Sequence, residues 1–153
     1  MATTIASATL TLTVVEDLIL DGIQLGKSTV RAITSITQWV KRIVTVPITT
    51  NGLTLFTLSS ADSSGQYIGT EVRYLRITNK DDSNFITVFL KNAASNDCAG
   101  FKITAGTSLI LFNDAFDADQ TDIDNVSFDD LSTVEAMANT AACDVEYVVA
   151  LAS

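Results

Sequence analysis

The segment Glu71-Val72-Arg73-Tyr74-Leu75-Arg76-Ile77-Thr78-Asn79-Lys80-Asp81-Asp82-Ser83-Asn84-Phe85-Ile86-Thr87-Val88-Phe89-Leu90-Lys91 decides the class of fold. From Glu71 to Thr78, charged positions alternate with apolar ones, the period of a half-buried strand. Asn79 to Asn84 is a dense turn signal, because Asn and Asp tolerate left-handed backbone geometry and bond their own main chain. Phe85 to Leu90 resumes the strand pattern. The expected unit is an antiparallel hairpin over residues 71–91.

Working outward, the same signals recur. Phe101 to Thr104, the turn Ala105-Gly106 and Thr107 to Phe112 read as a second hairpin. Upstream, Thr9 to Val14 alternates with Leu10, Leu12 and Val14 on one face. Thr37 to Val46 places Trp39, Lys41, Ile43 and Thr45 opposite Val40, Arg42, Val44 and Val46, and Pro47 ends the run because it cannot donate to a ladder. Leu53 to Leu58 is a further strand, Ser59 to Gly65 a loop, and Asp144 to Ala150 a closing strand. Residues 16–25 read as a turn or an edge strand around Asp21-Gly22. A helix is expected over residues 130–139, where Ser132 and Glu135 have capping-box spacing and Leu131, Val134 and Ala138 share a face. Short strands at about ten-residue spacing describe a sandwich or a small barrel. The expectation is an all-β chain: a single antiparallel β-sandwich, jelly-roll or Ig-like, with at most one short helix. It would span residues 9–153, behind an N-terminal segment, residues 1–8, that either frays or lies as an arm across a neighbour.

The chain has 153 residues, enough for one domain. Apolar residues make up 47% and charged ones 18%, below the usual quarter or so, which suggests a surface partly covered by partners. A mean hydropathy of +0.32 points the same way. No apolar run approaches the ~18–20 residues of a spanning helix, and Met1-Ala2-Thr3-Thr4-Ile5 does not read as a signal peptide. Net charge is −9, and all nine basic residues lie between Lys27 and Lys102. An acidic chain without a basic stripe is a poor partner for nucleic acid or an anionic membrane.

There is no histidine, which removes Ser-His-Asp and Cys-His nucleophile systems and most zinc patterns. The glycines occur singly, without phosphate-loop spacing. The chain is therefore read as no enzyme, with no cofactor. Cys98 and Cys143 are read as two free thiols or as one bridge. Asp117, Asp119, Asp122 and Asp124 are weak candidates for a structural cation, since calcium favours clustered oxygen ligands. However, the glycine and glutamate of an EF-hand loop are missing, and a solvated acidic loop is the simpler reading. Trp39 reads as a core or interface anchor.

Residues 71–86 resemble the "YLRITN-x-D-D-x-N-F" segment of small virion proteins of tailed bacteriophages. Residues 101–111 resemble the glycine-turn segment that follows it there, and Gln38 to Pro47 is similar to their "RI-V-x-V-P" strand. The resemblance covers about half the chain and implies a β-sandwich that decorates or cements a capsid. Its partner would be the major capsid protein or another virion protein, it would be a homo-oligomer, a trimer at three-fold axes, and it would be located in the virion after assembly in the host cytoplasm. A tail, fibre or adaptor role and a carbohydrate-binding sandwich are the alternatives.

Overall fold

The computed structural model describes residues 6–92, 98–112 and 131–152. Among the described residues thirteen strands follow one another: β1 (Ala8–Val15), β2 (Ile19–Leu20), β3 (Ile23–Gln24), β4 (Ser28–Ile36), β5 (Gln38–Val46), β6 (Leu53–Ser59), β7 (Gln66–Ile68), β8 (Val72–Asn79), β9 (Ile86–Asn92), β10 (Cys98–Ile103), β11 (Ser108–Phe112), β12 (Leu131–Ala138) and β13 (Cys143–Leu151). Among the described residues the helical content is one 3-10 turn, Gly69–Glu71. The all-β sandwich expected from the alternation is what forms.

Two sheets carry the body. One has the order β11-β8-β13-β5 and the other β10-β9-β12-β6-β7. All pairs within them are antiparallel except β6 with β7, which is parallel. The inward-facing residues Val72, Leu75, Ile77, Val145, Tyr147 and Val149 of the first sheet meet Ile86, Val88, Val134 and Ala136 of the second in one buried cluster. Phe56 sits against Tyr147 at 5.3 Å and against Tyr67 at 5.6 Å. A register shift opposite Val134/Glu135 gives β6 one extra residue, so the consecutive Leu55 and Phe56 are both buried.

Both expected hairpins are corrected. The strands lie where the alternation puts them, but β8 and β9 belong to different sheets, as do β10 and β11. Each turn is an arch that carries the chain across the core rather than back along a neighbour. Asn79 holds the two arches together. It is fully buried, and its amide donates to the carbonyls of Asn84 (2.8 Å) and Ile103 (3.2 Å). Its Oδ1 accepts from the Asp81 N–H at 3.1 Å, while its main chain exchanges bonds with Thr107 and Gly106. Asp81 caps its own loop by accepting from the N–H groups of Ser83 and Asn84. The Asn84 side chain in turn accepts from the Thr140 hydroxyl, tying in the β12–β13 turn.

The expected helix over 130–139 is a strand, β12, with Asp130 outside the described residues. Val134, Ala136 and Ala138 are all buried, and period two satisfies the body where period three-to-four would not. Glu135 does not cap a helix; its carboxylate takes an ion pair from Lys91 on β9.

The third layer is a ribbon, β1 paired with β4. The register slips between Ala8 and Leu10, and Ser35 on the opposing strand adopts a left-handed φ of 61°. The resulting bulge turns both Ile33 and Ile36 toward the body, where they pack with Leu10 and Leu12 on Tyr74, Val148, Ala150 and Phe112. This explains β13. Its run Val145 to Leu151 is buried at every position because the sandwich core covers one face, while on the other the ribbon base covers Val148 and Ala150 and the side chains of Lys41 and Arg76 cover Glu146.

A candidate interaction surface

The outer face of the four-stranded sheet can be read row by row from the strand register. Trp39, Ala150, Tyr74 and Phe112 form one row, and Lys41, Val148, Arg76 and Ile110 the next. A third row holds Ile43, Glu146, Thr78 and Ser108. The ribbon base covers most of the first row. Trp39 is left 51% exposed at its end, stacked on Tyr74 with ring centroids 6.0 Å apart. Trp39 is therefore at the surface, beside the ribbon, and not in the core.

Between the rows Glu146 accepts from Arg76 at 2.6 Å and from Lys41 at 2.9 Å, with its own side chain only 9% exposed. The hydrogen bond from Lys41, supported by Arg76, holds the Glu146 carboxyl below the ordinary carboxylate range. Thr45 donates to Asp144 at 2.7 Å, and the Thr78 and Ser108 hydroxyls meet at 2.8 Å. The charges of this face are thus largely satisfied within the chain. Ile43, 60% exposed, stands at its margin on β5, the edge strand.

Beyond Leu12 the ribbon leaves the body. Its tip is a well-formed hairpin: Asp21 (φ 51°) and Gly22 (φ 78°) supply the two left-handed residues of a type I′ turn between β2 and β3. The Leu25 N–H donates to Leu18 at 2.8 Å, the Glu16 N–H to Lys27 at 2.9 Å, and the Gln24 amide to Asp17 at 3.1 Å. At Gly26 the strands approach so closely that a Cβ would lie 2.0 Å from the Glu16 carbonyl oxygen, so no other residue fits there.

This ordered tip is apolar and uncovered. Among the described residues thirteen large apolar side chains are exposed, and eight of them lie between Val14 and Val30, including Ile19 at 68%. Three more, Trp39, Ile43 and Ile48, lie on β5 and just after it. A two-stranded ribbon alone is marginal in water, and a soluble monomer rarely concentrates apolar surface this way. Covering Leu18, Ile19, Leu20, Ile23 and Leu25 would yield on the order of 5–10 kcal/mol before the cost of association.

Cys98 is exposed and Cys143 buried, and both are free thiols. Burial is the main cause that pushes the Cys143 thiol up. Asp117, Asp119, Asp122 and Asp124 lie outside the described residues. Among the described residues no group of three or more Cys, Asp or Glu side chains is placed to hold a metal, and no helix is long and apolar enough to cross a membrane. The turn expected around Asp21-Gly22 forms, but its flanking Leu and Ile side chains are not singled out by the sequence, whereas Trp39 is. Comparison with protein-family models, curated proteins and solved structures gives no match.

Proposed function

We propose that this chain is a structural protein of a tailed-phage virion that works by protein–protein contact, as a decoration or cement protein on the outside of the capsid. The observation that carries the reading is the division of its surface. The sandwich is held together by its own core and arches, while the exposed apolar side chains collect on a projecting ribbon and the adjoining edge strand. Such a surface suits a protein that joins others. The sequence resemblance of residues 38–47, 71–86 and 101–111 to small phage virion proteins supplies the setting.

A net charge of −9 would keep decorated particles apart in solution. Many copies spanning capsomer junctions would add interface area to each joint. Even ~1–2 kcal/mol per contact then multiplies over a shell through multivalency. Particles assembled without the chain should form but rupture at lower temperature, and adding the purified protein should restore the wild-type rupture temperature. Particles that are fully stable yet tailless or unable to adsorb would contradict the cement role and assign the chain to the tail.

A further inference from the structure

We infer that the ribbon tip of one copy docks along the β5 edge of a second copy of this chain, in a head-to-tail contact. This goes beyond the virion role and does not depend on it. The two surfaces are complementary in three respects. First, both are apolar: the tip presents Leu18, Ile19, Leu20, Ile23 and Leu25, and the edge presents Trp39, Ile43 and Ile48. Second, their charges are opposite. Residues 14–26 carry Glu16, Asp17 and Asp21 with no basic residue, whereas β5 carries no acidic residue and two basic ones, of which Lys41 is already paired with Glu146 and Arg42 is left to meet the tip. Arg42 is exposed and makes no ion pair among the described residues. Third, β5 is a nine-residue edge that pairs on one side with β13 and on the other with no strand among the described residues. An open edge of that length is a template for another strand.

The tip does not cover its own β5 edge in the described arrangement: the ribbon base is fixed on the sheet face through Ile33 and Ile36, while Leu18, Ile19, Leu20, Ile23 and Leu25 of the tip and Trp39 and Ile43 of β5 are all exposed. From Thr13 to Leu20 the strand projects by roughly 20 Å at ~3.3 Å per residue. A contact between two different patches on identical chains is heterologous, and it closes into a ring when the rotation allows.

The test uses the full chain and two surface variants, Leu20→Asp on the tip and Ile43→Asp on the edge. Light scattering of the wild type at micromolar concentration should show an oligomer. Each variant should retain the wild-type circular dichroism spectrum but run near the 16.3 kDa monomer mass. The apparent Kd should rise at least about tenfold, equivalent to ~1.4 kcal/mol. Mixing the two variants leaves one intact tip facing one intact edge, so an equimolar mixture should form a capped dimer and nothing larger. As a second readout, on a Cys98→Ser background, Leu20→Cys mixed with Ile43→Cys should form a crosslinked dimer under oxidation, and neither alone should. A monomeric wild type, a variant that associates like wild type, a mixture that stays monomeric, or Leu20→Cys crosslinking to itself as readily as to Ile43→Cys would each overturn the inference.

Discussion

The arch corner around Asn79 and the ribbon tip around Asp21-Gly22 are both tight, fully hydrogen-bonded turns, yet they are stabilised by opposite means. At the corner, Asn79 is buried and its side chain serves three main-chain groups from two arches, so the turn is inseparable from the core. At the tip, the turn is formed by local bonds and two left-handed residues, and its apolar side chains face outward. Local turn chemistry therefore makes a shape in both places, but only at the corner does burial convert that shape into fold stability. At the tip the same chemistry leaves Leu18, Ile19, Leu20, Ile23 and Leu25 exposed, and in the proposed contact a second copy would supply their burial.

Substitutions should separate the two regions sharply. Tyr147→Ala removes a fully buried ring from between the sheets and should cost ~3–5 kcal/mol in urea unfolding. Asn79→Ala leaves the carbonyls of Asn84 and Ile103 and the Asp81 N–H without their partner, for a loss of ~2–4 kcal/mol. Asn79→Asp should be worse, because it aims a carboxylate at two carbonyls. Ile19→Ala or Leu20→Ser at the tip should change the stability of the dissociated chain by no more than about 0.5 kcal/mol. A large loss from the tip substitutions would mean that the ribbon is part of the core.

The pH dependence gives a second test of the body, through Tyr67, Glu146 and Asp81. Burial, with a further contribution from the neighbouring Tyr147, pushes the Tyr67 phenol up to about 12 from an ordinary 10.0. A raised pKa means that the folded state holds the proton more tightly. Its contribution is therefore complete below about pH 10 and lost as pH rises toward 12. The volume-conserving variant Tyr67→Phe should flatten the alkaline loss while changing neutral stability little.

At the acid end, Glu146 is held low first by Lys41 and then by Arg76, and Asp81 by the N–H groups of Asn84 and Ser83. A depressed pKa contributes stability above the ordinary carboxylate range, and this is lost as pH falls through the folded-state values. Lys41→Met and Arg76→Met together should therefore reduce the acid sensitivity of the urea midpoint.

The strands were legible in the sequence because alternation reports directly which side chains share a face. Their partners were not. A run such as Val72 to Asn79 shows a buried face but not which sheet it joins, and Asn-Asp turns serve hairpins and arches alike. The distinguishing feature, Asn79 bonding to Ile103 twenty-four residues away, is a tertiary fact. The β12 segment has the local look of a helix because Ser132 and Glu135 imitate a cap, whereas Glu135 has a cross-strand partner in Lys91 that the local sequence does not reveal. On the surface, Trp39 could be singled out as the single tryptophan of the chain. The alternation Leu10, Leu12, Val14 looks the same where it is covered by the body, at Leu10 and Leu12, and where it emerges from it, at Val14.

Amide hydrogen exchange on the full chain, followed below and above its association concentration, tests most directly the claim that the body folds for itself and the ribbon tip folds for a partner. In the dissociated chain, β13 should exchange only through global unfolding, while residues 14–26 exchange faster by local opening. On association, protection should rise at residues 14–26 and along β5 and stay unchanged at β13. Tip amides as protected as β13 in the dissociated chain, or unchanged on association, would contradict it.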